Sequence, residues 1–283
     1  MKIIVLHNCR SDHVESNYLL KHLCDAWTED GHETTFLRNL HNPLPPADVV
    51  VLHIDLTTVP LQYLDALPSH PAILNRKVAS ISKRLFSSTI LYPGDSYAGA
   101  VIVKTSANYG GLPERRAGLI SRLYPSGGGP LTLWRHARSL RKYPIFPSMD
   151  AVPSGVWSNE HLIVERFLPE CSLAGDYCLR QLVFLGNRDS HYMSYSHEPV
   201  IKSHNIRSRT ELPVDDIPES LRRMRKELGF DYGKFDYGIH DGQVVLYDLN
   251  KTPGAPRTLD RIADLRNRIK ALSRGIGHYH PNP

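Results

Sequence analysis

The 283-residue sequence has no run of about eighteen apolar residues, the minimum for a helix that crosses a bilayer. Its opening apolar run, Lys2 to Leu6, is too short for a signal-peptide core and lacks a small-residue cleavage site, so it reads as a first strand. Only four cysteines occur (Cys9, Cys24, Cys171 and Cys178), none in a CxxC spacing. A chain of this size with so few excludes a disulfide framework, and a cytoplasmic, reducing setting is the simplest home. Cys9, just after the first strand, reads as a buried small residue before it reads as a reactive thiol. Histidines are plentiful, but no HxxxH or HExxH is formed, and His197 and His204 stand seven apart, which argues against zinc. No GxSxG is present to build a nucleophile elbow, and no GxGxxG follows the first strand. Tyr and Trp are scattered, with no stacking platform for single-stranded nucleic acid. The net charge of +5 is a mild excess, and its cations are dispersed. That suits a protein that spends cations on nucleotide phosphates better than one with a basic stripe for nucleic acid.

What is present is an alternation of strand-like and helix-like segments. Lys2–His7, Glu33–Leu37, residues 48–53 and residues 71–75 read as strands, the third apolar on both faces as a central parallel strand should be. Leu19, Leu20, Leu23 and Trp27 recur at helical spacing between the first two. Residues 1–74 therefore read as a small doubly wound α/β domain. Residues 75–160 are less regular. The spacing predicts a helix over Val78–Leu85 that carries Lys83, then a buried strand over Ala100–Lys104, then a small polar loop, Thr105 to Gly111. Ser126-Gly127-Gly128-Gly129-Pro130 reads as a flexible break.

Residues 161–283 supply strands over His161–Val164, Tyr177–Leu185 and Pro199–Lys202. They also supply an amphipathic helix marked by Ile217, Leu221, Met224 and Leu228, with Pro218 near its start. A closing helix is expected over residues 258–273. Between these helices Phe235–His240 and Gln243–Leu249 flank Asp241-Gly242, a type I′ hairpin signal.

That hairpin carries the chemistry. Residues two apart on a strand face the same way, so Asp248 and Asn250 share a face. Across the turn Asp236 falls roughly opposite Asp248. Three oxygen-bearing side chains then converge, a donor set that suits Mg²⁺, whose remaining positions go to water and substrate phosphates. Lys234 faces the same spot.

With Pro253-Gly254 following, the hairpin resembles the magnesium end of the ATP-grasp superfamily, in particular bacterial ATP-grasp carboxylate–amine ligase-like proteins. In that family an Asp, an acid about a dozen positions later and an Asn two further on precede a Pro-Gly. Asp236, Asp248 and Asn250 match, though the middle acid is usually Glu, and Asn250-Lys251-Thr252-Pro253-Gly254 stands where Asn-Pro-x-Pro-Gly is usual. In D-alanine–D-alanine ligases an Arg sits where Lys234 stands, and Lys234 is the point-charge counterpart at the reacting centre.

The resemblance extends upstream. Lys104, Asn108, Gly110 and Gly111 resemble the strand lysine and small-residue phosphate loop, with Lys83 as a second phosphate lysine. Glu165, Phe167 and Leu168 resemble the hinge that takes the adenine. Asp176 resembles the ribose acid, with Glu170 as the alternative. Arg180 and Lys202 resemble basic residues that face the phosphates.

The resemblance thus implies an ATP-grasp fold of two α+β lobes, residues 75–160 and 161–283, behind the N-terminal α/β domain. It implies ATP and Mg²⁺ as cofactors and a small-molecule or peptide carboxylate as substrate. The implied reaction joins that carboxylate to an amine or other nucleophile through an acylphosphate, releasing ADP. Loops at residues 7–15 and 251–257, with Arg257, are candidates for the substrate pocket. The alternatives are a small-molecule kinase of the same fold, a nucleotide-binding protein without turnover, and a nucleic-acid binder.

Overall fold

The computed structural model describes residues 1–8, 18–38, 43–65, 67, 72–119, 126–127, 132–255 and 263–280. Cys9, Arg257, most of the 7–15 loop, residues 128–130 and the first turns of the closing helix lie outside them.

β1 (Lys2–His7), β2 (Glu33–Leu37), β3 (Val49–His53) and β4 (Ala72–Leu74) form a parallel sheet in the order β2-β1-β3-β4. All five β3 residues are buried, as a continuous apolar run between two layers requires. Helix α1 (Leu19–Glu29) turns Leu19, Leu20, Leu23 and Trp27 onto one face, where they meet Ile3, Val5, Val49 and Val51. Helix α2 (Leu61–Asp65) covers the other face through Tyr63, against Ile4, Leu6, Val50 and Leu52.

Residues 78–82, expected to be helical, are extended instead. Val59 N–H donates to Ala79 O at 2.8 Å and Ile81 N–H to Thr57 O at 2.9 Å. Pairing with residues 57–59 satisfies those backbone groups, which leaves only α3 (Lys83–Phe86) as helix.

A second sheet contains β5 (Ile90–Leu91) and β6 (Val101–Thr105). The short α4 (Leu112–Arg116) and the two-residue pair β7 (Ser126–Gly127) and β8 (Ser139–Leu140) follow. β9 (Ile145–Phe146), α5 (Ser154–Trp157) and β10 (Leu162–Arg166) complete this region, with sheet order β5-β10-β6-β9. β10 pairs with β6 and β5, so this sheet runs past the expected lobe boundary at residue 160. Val101, Val103, Leu162 and Val164 pack on one face beneath α5. The alternate residues Lys104 and Glu165 leave the other face.

The third sheet joins β11 (Glu170–Cys171), β12 (Tyr177–Leu185), β13 (Arg188–Ser196), β14 (Ser208–Glu211), β15 (Tyr232–His240) and β16 (Gln243–Asn250). Residues 199–202, expected to be a strand, lie in a loop, and β13 takes the pairing beside β12. The turn between β15 and β16 has Asp241 at φ 50° and Gly242 at φ 73°, as a type I′ turn demands. Helix α6 (Glu219–Glu227) begins after Pro218 and packs Leu221 with Phe184, Phe235 and Leu246.

The closing helix α7 (Ala263–Ser273) returns to the first sheet. Ile269 and Leu272 share one core with α1, Val183, Leu185 and Tyr232, and Trp27 Nε1 donates to Ser273 O at 2.9 Å. Asn75, left-handed at φ 61° and 1% exposed, clamps the first and third sheets together. Its Oδ1 accepts from Asp231 and Tyr232 N–H at 2.9 and 3.1 Å, and its Nδ2 donates to Tyr232 O at 2.7 Å. Asn75→Ala strands these buried backbone groups and is expected to cost about 3 kcal/mol. Urea denaturation checks this; an unchanged midpoint would show that the clamp is dispensable.

Candidate nucleotide and metal site

The cleft between the second and third sheets gathers three lysines and three carboxylates. In the β15–β16 ladder Asp236 stands directly opposite Asp248 and Lys234 opposite Asn250, all on one face as the sequence spacing requires. A β-bulge follows Asp236, so Tyr247 is the extra residue beside Asp248. Lys234 Nζ pairs with Asp236 Oδ2 at 2.9 Å, and Gln181 Nε2 donates to Asp236 Oδ1 at 2.8 Å. Lys83, 2% exposed, reaches Asp248 Oδ1 at 2.9 Å and donates to Ala107 O at 3.2 Å. Lys104 Nζ pairs with Glu165 at 2.7 Å across the β6–β10 ladder.

Burial by itself would push the Lys83 ammonium down. The Asp248 carboxylate beside it more than reverses that and holds it above the ordinary lysine range. Lys234 is raised in the same way, with Asp236 outweighing burial.

Asn250 Oδ1 accepts from Thr252 N–H at 2.8 Å. The Thr252 hydroxyl lies 2.8 Å from Asp55 and 3.3 Å from Asn250. A hydroxyl has one proton, and the shorter contact takes it, so Asn250 Oδ1 keeps a lone pair. Two opposed carboxylates and that amide oxygen are a hard donor set that fits Mg²⁺. Among the described residues no group of three His, Cys, Asp or Glu could hold a metal without such an amide.

The small-residue loop is built by three successive left-handed residues, Tyr109, Gly110 and Gly111. A Cβ on Gly110 would come within 2.3 Å of Leu140 O, so only glycine fits. Tyr143 hydrogen-bonds to the Gly110 backbone and lies in the field of Lys83, Asp248 and Glu165, and burial pushes its hydroxyl upward. Lys202 Nζ sits 4.7 Å from the Tyr143 ring centre, so a loop, not a strand, brings it to the rim. Asn108 is buried, its N–H donating to Thr57 Oγ1 at 2.8 Å.

The hinge candidates are partly committed within the protein. Phe167 N–H donates to Ala100 O at 2.9 Å, and Leu168 O accepts from Tyr247 Oη at 2.6 Å. Glu165, 2% exposed, keeps Oε1 without a hydrogen-bond partner among the described residues.

Two expected residues are not brought to this cluster. Arg180 stands opposite Tyr237, one position from the Gln181–Asp236 pair, so it leaves the sheet on the opposite face. There it grips Glu170 through Nε and Nη2 at 2.7 to 3.0 Å, which also occupies the alternative ribose acid. Asp176 pairs with Arg207 at 2.9 Å and His197 at 3.2 Å. Gln181 and Tyr143 were not singled out in the sequence. Gln181 differs from Arg180 by one position, and only strand register separates them.

A second polar cluster lies where β1 and β3 end. Asp55 accepts from the Tyr18 and Thr252 hydroxyls. Glu114 Oε1 accepts from the Thr57 N–H and hydroxyl at 2.7 and 2.6 Å. Lys251, 2% exposed, is pushed down to about 7 by burial, against the opposing fields of Asp55 and Glu114.

No protein-family model and no curated protein matches the sequence. Solved structures match over nearly the whole chain. An ATP-grasp ligase associated with a RiPP from Chryseobacterium gregarium, in complex with ADP and a leader and core peptide, is 11% identical. It has a TM-score of 0.58 over 99% of this chain and 98% of that one. The macrocyclase MdnC from Microcystis aeruginosa MRC, bound with precursor peptide MdnA, is 12% identical, with a TM-score of 0.53 over 97% and 98%. D-alanine–D-alanine ligase from Bacillus anthracis is 12% identical, with a TM-score of 0.50 over 99% and 97%. The shared fold is the ATP-grasp fold, as the hairpin resemblance implies.

Register brings Gln181, not Arg180, to Asp236. Arg180→Lys is expected to lower the melting temperature through the lost grip on Glu170 while leaving the Mg-ATP-induced shift intact. Gln181→Leu should shrink that shift. The reverse pattern in thermal melts would return Arg180 to the phosphates.

Proposed function

We propose that this chain binds Mg-ATP in the cleft between its second and third sheets and uses it to join a carboxylate to an amine or other nucleophile. One observation carries the reading. Lys83, Lys104 and Lys234 are each paired with a carboxylate, Asp248, Glu165 and Asp236, between the second and third sheets. Such a cluster exchanges partners on binding a metal-bound polyphosphate. Asp236, Asp248 and Asn250 would hold Mg²⁺, and the released lysines would meet phosphate oxygens. Mg²⁺ when bound supplies charge neutralisation on the phosphates being transferred.

The chain's own groups do the rest. Lys83 is fixed by Ala107 O beside the Gly110-Gly111 loop, so its charge and the loop's backbone N–H groups serve the same anion. Lys104, close to Tyr247 and paired with Glu165, lies between the phosphate region and the hinge. Glu165 Oε1, with the backbone at Phe167 and Leu168, offers the hydrogen-bonding edge for adenine. Lys234 would stabilise negative charge that develops beside Asp236, a preorganised electrostatic role. Lys202 would approach from the rim. With Arg180 gripping Glu170, Asp176, paired with Arg207, is the acid left for a ribose.

The fold's occurrence in ligases, among them proteins bound to peptides, supports a ligase acting on a small-molecule or peptide carboxylate. Turnover by such a ligase releases ADP.

Mg-ATP should raise the melting temperature of the wild type by mass action, by about 2.7 kcal/mol of stability at a hundredfold excess over Kd. Asp248→Asn keeps a hydrogen-bonding partner for Lys83 but loses the charge, and should abolish most of the shift. No shift in wild type at millimolar Mg-ATP would sink the reading. A shift with ADP release and a stable phosphorylated product would convert it to a kinase.

A further inference from the structure

The β-bulge beside the metal candidates aims one side chain at the hinge. Asp236 pairs with Asp248 and Tyr237 with Leu246, so Tyr247 has no partner on β15. A bulge re-aims the side chain of its extra residue, and Gly238 shows where this one goes. Gly238 stands two residues after Asp236 and so shares its face. A Cβ there would come within 2.1 Å of Tyr247 Oη and 2.8 Å of its Cζ. The Tyr247 ring therefore lies over the Gly238 backbone, on the face that carries Lys234 and Asp236. Gly238 is not left-handed, so glycine serves here for close approach and not for backbone freedom.

From that position Tyr247 reaches out of its own sheet. Its hydroxyl donates to Leu168 O at 2.6 Å, and its backbone O lies 3.5 Å from Lys104 Nζ. A phenol has one proton. Leu168 O can only accept, so the proton is committed there, and His240 Nε2, 3.0 Å from the same oxygen, donates the second bond. Burial pushes the Tyr247 hydroxyl above the ordinary tyrosine range, which keeps it protonated and donating.

These contacts hold the hinge from both sides. Phe167 N–H is anchored on Ala100 O, and Leu168 O is anchored on Tyr247. Pro169 follows, with a fixed φ and no N–H. A planar peptide between two anchors and a proline has little freedom left, and the Phe167–Leu168 peptide is the hinge backbone beside Glu165.

We infer that Tyr247 is a positioning residue for the nucleotide base: its hydroxyl fixes the hinge backbone at Leu168 from the acidic hairpin, so adjacent residues, Tyr247 and Asp248, set the base end and the metal end of one site. The inference rests on the Mg-ATP reading above.

The test is calorimetric titration of the full chain with Mg-ATP and with Mg-tripolyphosphate, which carries phosphates but no base. Tyr247→Phe keeps the ring and loses the hydroxyl. It should weaken Mg-ATP about tenfold, the effect of one lost hydrogen bond, and leave Mg-tripolyphosphate unchanged. Gly238→Ala pushes the hydroxyl off Leu168 with Tyr247 still present, and should give the same selective loss. Asp248→Asn should weaken both ligands. An equal loss of both ligands in Tyr247→Phe would overturn the inference, since a general structural role does not single out the base. Unchanged or tighter Mg-ATP binding in Tyr247→Phe would also overturn it, and would leave the Mg-ATP reading standing. A wild type that binds neither ligand overturns both.

Discussion

Three ammonium groups can be held in the cleft between two sheets only because three carboxylates face them. Desolvating a lysine is expensive, and Lys83, at 2% exposure, stays charged because Asp248 sits 2.9 Å away. Two further pairs face each other in the same way: Lys234 with Asp236 on the third sheet, Lys104 with Glu165 on the second. Lys83–Asp248 joins α3 to the edge hairpin, so the pair that matters most for the charge balance also ties together parts of the chain far apart in sequence. Ion pairs of this kind contribute little net stability. Under the proposed function they hold both signs of charge in place, ready to exchange partners with a metal and a polyphosphate.

Lys251 breaks that rule a few residues away. Its neighbours Asp55 and Glu114 are near enough to influence it, but Asp55 and Glu114 Oε1 are engaged elsewhere. The chain therefore keeps one compensated set of charges and one lysine without such a partner among the described residues.

Much of this could be read along the chain, because it depends on local period. Period-two alternation and the Asp241-Gly242 turn set Asp236, Asp248, Asn250 and Lys234 on one face, and the ladder has them there. The buried runs of β1 and β3 and the apolar stripe of α1 were legible for the same reason. What failed was decided by competition for backbone partners. Val78–Leu85 carries helical spacing, but residues 57–59 offered its Ile81 N–H and Ala79 carbonyl an edge to pair with. Residues 199–202 look like a strand, yet β13, polar and unremarkable in sequence, is what pairs with β12.

The sequence by itself determined the α/β class, the acidic hairpin and the lysines available to face it, since side-chain direction along a strand is a local property. Only the tertiary structure decided which charges meet. A one-residue difference in register turned Arg180 away and brought Gln181 to Asp236. The packing of Thr57, Glu114 and Asp55 near Lys251 left its Nζ without a hydrogen-bond partner among the described residues. Contacts between residues far apart in sequence have no periodicity to announce them, so the partners of a buried charge emerge only when the sheets are assembled.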